Sequence, residues 1–279
     1  IMNNSVLLVH TKDRVGVTSE LTSLIADGGC NIEHLDHFLD HESYQFFIRI
    51  VFDPSNEVHD AIHTYFNAHP DMHYELHLPN QRQKMAIFVS KMDHAMMELI
   101  LRVRAGEIPV EISMVISNHD THRDLVEQFG IPFHHVPFNK EIKARAEQQM
   151  IDLLDGQADF IVLARYMQIL SPEFIERYKF KIINIHHSFL PAFIGAKPYA
   201  QAYDRGVKLI GATAHYVTSE LDGGPIIQQD VLRVNHRYTK DELVVVGRHV
   251  ENRVLADAVM WHAEHKVLVD GNKTIVLGV

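Results

Sequence analysis

Three side chains in the second half of this 279-residue chain, Asn184, His186 and Asp222, suit attack on a carbonyl group. An amide donates, an imidazole donates or accepts, and a carboxylate takes up a proton. Together they are the minimum set for adding a nucleophile to a carbonyl while charge develops on its oxygen. The β-branched pair Ile182-Ile183 predicts a strand over 181–186, and strand side chains alternate with period two, so Asn184 and His186 fall on one face. Asp222 opens the run Asp222-Gly223-Gly224-Pro225, whose composition makes it a loop residue. A single Asn or His at a strand end commonly serves as a cap or turn device, so the surrounding elements decide what these residues do.

Those elements alternate. Strand signals at 85–89, 110–117, 133–136, 160–163 and 182–185 are separated by helical patterns at 94–104, 121–130, 141–155 and 172–180. That order predicts an α/β, Rossmann-like doubly wound parallel sheet. Ligands in such sheets lie outside the carboxyl ends of the strands, where Asn184 and His186 fall. Segments 209–217 and 225–231 read as an antiparallel pair with Asp222 in the loop between them. A long amphipathic helix over 239–262 carries Leu243, Val246, Val250, Val254 and Ala258 as a core stripe and is read as core packing. Strand-like segments at 266–269 and 274–277 follow. Residues 5–78 instead give β, α, β, β, α, β, a ferredoxin-like split unit. The polar stretch 79–84 divides a first domain, 1–80, from a second, 84–279.

Composition narrows the function classes. The chain has a net charge of −10, and a nucleic-acid backbone needs a concentrated basic surface, so no nucleic-acid partner is expected. Cys30 is the only cysteine, which rules out an intrachain disulfide and fits a reducing, cytoplasmic setting. No basic stretch leads into an apolar run at the start, and no run of about 18 apolar residues occurs, so neither secretion nor a membrane partner is expected. The 21 histidines invite a metal site, yet none sits in a compact ligand pattern. No metal and no cofactor are expected.

Three separated blocks then occur in order: Asn184-x-His186-x-Ser188-x-Leu190-Pro191, Gly211-Ala212-Thr213-Ala214-His215-Tyr216-Val217, and Leu221-Asp222-x-Gly224-Pro225-Ile226-Ile227. They resemble the signature of the folate-dependent formyltransferases and hydrolases. The continuation from Ala192 through Tyr199, with His187 where ribonucleotide transferases carry proline, resembles the hydrolytic branch. Asp13-Arg14-Val15-Gly16 after the first strand resembles an ACT domain. A physical difference points the same way. The turn Ser90-Lys91-Met92-Asp93-His94-Ala95 lacks the glycines that let backbone N–H groups cradle a phosphate, which leaves water as the nucleophile.

The resemblance implies hydrolysis of 10-formyltetrahydrofolate to tetrahydrofolate and formate, supplying formate to purine and one-carbon metabolism. Asp222 would act as base, with His186 and Asn184 as oxyanion donors. It implies a pterin pocket of Leu163, Met167, Gln168, Ile169, Leu170, Phe174, Ile182, Val217 and Leu221. His215 is expected to hydrogen-bond a catalytic group. His187 has two readings, orienting the water or packing into the sheet. Leu190-Pro191 is a candidate cis peptide. The ACT-like unit implies an amino-acid effector, with Gly16 and Asn31 as ligand candidates, and self-pairing into a dimer or tetramer. The alternatives are a formyltransferase to a non-phosphorylated amine and an amino-acid sensor with an idle second domain.

Overall fold

A computed structural model describes residues 3–193 and 197–279; Ile194, Gly195 and Ala196 of the loop motif lie outside the described residues. Two compact units are present. The first comprises residues 1–81 together with Glu264–Asp270 and Thr274–Val279, and the second comprises Arg82–Ala263 with Gly271–Lys273.

In the first unit β1 (Ser5–Lys12), α1 (Val17–Ala26), β2 (Ile32–Asp40), β3 (Gln45–Phe52), α2 (Asn56–Ala68) and β4 (His73–His77) follow the expected order. The four strands form one antiparallel sheet, β2-β3-β1-β4. Helix α1 buries Val17, Leu21 and Ile25, and α2 buries Val58, Ile62 and Phe66, against Leu7, Val9, Ile48, Ile50 and Phe52. That uses one face of β1. The run Val6-Leu7-Leu8-Val9 is apolar on both faces, and Val6 and Leu8 are buried with Val51 and with Leu268 from the C-terminal tail. A strand apolar on both sides must be covered on both sides.

The tail therefore corrects the expected boundary, because residues expected to close the second domain complete the first. Arg49, which is buried, donates to the Glu264 and His265 carbonyls at 2.9 Å each, and the Gly278 N–H donates to Asp36 Oδ2.

The second unit runs β5 (Gln83–Val89), α3 (His94–Arg104), β6 (Val110–Ser117), α4 (Arg123–Glu127), β7 (Phe133–His135), α5 (Lys143–Leu154), β8 (Phe160–Leu163), α6 (Pro172–Arg177), β9 (Ile182–His186), α7 (Pro198–Arg205), β10 (Leu209–Tyr216), β11 (Ile226–Arg233) and α8 (Lys240–Ala263). The two tail strands after it are β12 (Val267–Asp270) and β13 (Lys273–Val276). The sheet order is β11-β10-β9-β8-β5-β6-β7, parallel from β7 to β9 and antiparallel at β9/β10 and β10/β11.

Helices α4 and α6 are each at least three residues shorter than the patterns at 121–130 and 172–180. The chain leaves α6 early and turns through Phe180, at φ 55°, to enter β9. Helix α7 has no counterpart in the sequence reading; Pro198 starts it and Gly206, at φ 68°, ends it.

Candidate active site

Strand β9 ends where the chemistry begins. Asn184 and His186 lie on one face, as period two requires, and the antiparallel register sets His215 of β10 directly opposite Asn184. The His215 Nδ1–H donates to the Tyr216 carbonyl at 2.9 Å, leaving Nε2 as an acceptor for the Asn184 amide at 3.3 Å. Burial pushes the His215 pKa down, which keeps that lone pair available. One amide hydrogen of Asn184 is thereby used to fix the group, and the other remains for a ligand oxygen. His215 thus holds the amide donor, while its Nε2 stands 3.9 Å from Asp222 Oδ1.

Asp222 reaches the same point from the β10–β11 loop. Its Oδ1 lies 3.4 Å from His186 Nδ1, and His186 Nε2 faces the Phe193 carbonyl at 3.4 Å. Both distances are long for hydrogen bonds and leave room for rearrangement around a ligand. Asp222 adopts φ 55°, a left-handed conformation that Asp tolerates better than most residues. The loop closes tightly because Gly224 has no side chain: a Cβ there would overlap the Tyr216 carbonyl oxygen. A β-bulge between Ala214 and His215 shifts the β10/β11 register beside the site. Leu190-Pro191 is cis, and Ser188 and Thr213 tie this turn to β10 through Thr213 Oγ1, which donates to the Ser188 carbonyl and accepts from Leu190 N–H.

A cavity of about 300 Å³ opens from these polar groups. Of the pterin-pocket residues expected, Leu163, Met167, Gln168, Ile169, Leu170, Val217 and Leu221 line it. Phe174 and Ile182 do not; they are 1% and 0% exposed in the core beneath, and Ile175 of α6 faces the cavity instead. Helical phase explains the exchange, since one residue along α6 turns a side chain about 100°. Met167, Ile169 and Leu221 are more than half exposed at the rim, an apolar mouth of the kind a flat ligand covers. The 167–171 segment is pinned at both ends: Met167 N–H donates to Ser90 Oγ at 3.0 Å, and Ser171 N–H donates to buried Glu147 at 2.7 Å.

A second polar group was missed by the sequence reading. Glu251, fully buried on α8, accepts from Tyr199 Oη at 2.6 Å, His94 Nε2 at 2.7 Å and Arg165 Nη1 at 2.8 Å. The stripe taken for pure core packing therefore contains a carboxylate. Gly247, one turn earlier, makes room for the Tyr199 ring, which any Cβ would overlap. Arg165 itself is held at φ 63° just beyond β8. The visible signal was Glu251 itself, a charged residue at helical spacing between Gly247 and Val254 on an apolar face. His187 is also buried, 5.8 Å from the Tyr199 ring; burial, with Arg165 adding positive charge, pushes its pKa down to about 4. His187 lines the cavity as a neutral ring at ordinary pH.

A mostly parallel sheet with an amide, an imidazole and a carboxylate at its carboxyl edge, above an apolar slot, defines an α/β enzyme site suited to adding a nucleophile to a carbonyl group. The second unit matches the Formyl transferase family over residues 83–259, and the first matches the ACT domain over residues 5–60. The formyltetrahydrofolate deformylase of Bacillus subtilis (strain 168) is 48% identical over 97% of this chain and 92% of its own length. A crystal structure of formyltetrahydrofolate deformylase from Pseudomonas syringae pv. tomato superposes with a TM-score of 0.94 at 41% identity, covering 99% of this chain and 95% of that one. The enzyme from Burkholderia mallei gives 0.92 at 42% identity over 98% and 99%. The chain belongs to the formyltetrahydrofolate deformylase family.

Proposed function

We propose that the chain hydrolyses the N10-formyl group of 10-formyltetrahydrofolate, giving tetrahydrofolate and formate. The observation that carries this reading is the convergence of Asn184, His186 and Asp222 at the buried end of an apolar slot. The pterin ring takes the slot between Leu163, Ile169, Leu170, Val217 and Leu221, with the backbone of 167–170 and 219–222 reading its edge. Asp222 orients a water and removes its proton as oxygen bonds to the formyl carbon. The free amide hydrogen of Asn184 and a His186 N–H stabilise the oxyanion. Protonation of N10 then breaks the C–N bond, so tetrahydrofolate leaves as an amine and formate as an anion.

The same reading gives the first unit a regulatory role. Its ACT fold binds a small amino-acid effector and pairs with a second copy of the chain, and the enzyme works in the cytoplasm within one-carbon and purine metabolism. Among the described residues no helix is long and apolar enough to cross a membrane.

The test is formate release from 10-formyltetrahydrofolate with no amine acceptor present. The wild type should release formate stoichiometrically with tetrahydrofolate. Asp222→Asn, which keeps shape and removes charge, should lose about 100-fold or more in kcat while still binding folate, the usual worth of a general base. Near-normal turnover in that variant removes Asp222 from the role of base.

A further inference from the structure

Strand β9 ends at His186, and the period-two rule ends with it. His187, the next residue, therefore does not turn away from the site as continued alternation would require. Its ring stands 5.5 Å from the His186 ring, and both line the slot with Asn184 and Asp222. His187 also lines an adjoining cavity with Arg165 and Tyr199, so water can stand against the ring while a folate fills the slot.

Packing alone does not call for an imidazole here. His187 is only 8% exposed, yet among the described residues its ring nitrogens make no hydrogen bond. Burying unpaired polar atoms costs free energy that a phenyl ring in the same place against Tyr199 would avoid. The charges around it come from four elements. Arg165 beyond β8 and His186 on β9 disfavour an imidazolium, Glu251 on α8 and Asp222 in the β10–β11 loop favour one, and burial tips the balance to the neutral ring. A neutral imidazole keeps one nitrogen lone pair as an acceptor.

Hydrolysis has a use for that lone pair. A water attacking the formyl carbon carries two hydrogens, and Asp222 takes one. The other is left in a site covered by folate, where an unmet donor is costly. His215 Nε2 is already engaged by the Asn184 amide, and the Arg165 guanidinium only donates. We infer that His187 accepts the second hydrogen of the attacking water, so that it and Asp222 together aim an oxygen lone pair at the formyl carbon. The inference rests on the hydrolytic reading and deepens it. No covalent bond changes at His187: the transferred proton goes to Asp222, and the imidazole holds the hydroxyl hydrogen that stays on the oxygen as the new C–O bond forms.

Two substitutions separate this role from packing. His187→Phe keeps a ring against Tyr199 and removes the acceptor, whereas His187→Gln keeps an acceptor and gives up the ring. Formate release by the wild type with no amine present checks hydrolysis itself; its absence would remove the underlying reading, not the role of His187 within it. Given that release, single-turnover formate formation should fall about 30-fold in His187→Phe and about threefold in His187→Gln, the range expected for one hydrogen bond made in the transition state. Both variants should bind tetrahydrofolate as the wild type does. A residue that only packs gives the reverse order. A His187→Phe variant as fast as His187→Gln, or a His187→Gln variant that no longer binds tetrahydrofolate, would overturn the role while leaving hydrolysis standing. Should His187→Phe itself fail to bind tetrahydrofolate, His187→Gln decides alone: turnover within about fivefold of wild type supports the role, and a larger loss overturns it.

Discussion

Replacing Glu251 by glutamine keeps the side chain's shape and removes the charge on which His94, Arg165 and Tyr199 converge. Burial alone would raise this carboxyl's pKa. The His94 hydrogen bond, the Arg165 charge and the Tyr199 hydroxyl outweigh burial and hold it at about 2, against an ordinary 4.5. At about 1.4 kcal/mol per tenfold, that displacement is worth about 3 kcal/mol of stability. Because the folded value lies below the unfolded one, the contribution is fully present above about pH 4.5 and is lost as pH falls through 4.5 toward 2. The loss of a counter-charge for the Arg165 guanidinium is the same interaction seen from its partner, and breaking such a pair typically costs about 3–5 kcal/mol, the same range.

Glu251→Gln should therefore unfold in urea with about 3 kcal/mol less stability at pH 7, and the gap to wild type should shrink to less than half of that near pH 3. Urea titrations of both proteins at pH 7, 5, 4 and 3 measure it. A difference under about 1 kcal/mol at pH 7, or one that widens on acidification, would show that the carboxylate is not the anchor the geometry makes it.

Two further outcomes follow from the site. If Asn184 is the oxyanion donor proposed above, Asn184→Ala should lower kcat by about 100-fold or more with folate affinity retained, as single-turnover formate release and equilibrium binding together would report. His187 should stay neutral down to about pH 4, so its ring resonances should not titrate between pH 5 and 8 by NMR. Arg165→Met, which removes the charge that adds to burial, should move its titration upward, and a wild-type His187 that titrates near 6.5 contradicts the assignment.

Asn184, His186 and Asp222 were legible because alternation within one strand and a glycine-rich loop are local signals. The same holds for the long parallel strands, whose apolar runs end at recognisable turns. What escaped depends on partners distant in sequence. Glu251 looks like an interruption of an apolar stripe until Arg165, His94 and Tyr199 arrive from other elements. His215 was expected to hydrogen-bond one of these three side chains, but only the β9/β10 register shows that its partner is Asn184. In the short helix α6 a one-residue difference in phase decides whether Phe174 or Ile175 meets the cavity. The destination of the tail was written in Val6-Leu7-Leu8-Val9, a strand apolar on two faces with only one pair of helices to cover it.

That tail has a consequence for synthesis. The sheet made first by the ribosome contains a strand whose second face is covered by Leu268, and an Arg49 whose partners are the carbonyls of Glu264 and His265. About 180 residues of the other unit are translated in between. At the usual 5–20 residues per second, the half-covered sheet waits roughly 10 to 40 s, with Val6, Leu8 and a hydrated Arg49 guanidinium open to other nascent chains. The first unit to emerge is thus the last to be finished, and the interval is one in which a chaperone or a second nascent copy can reach that face first.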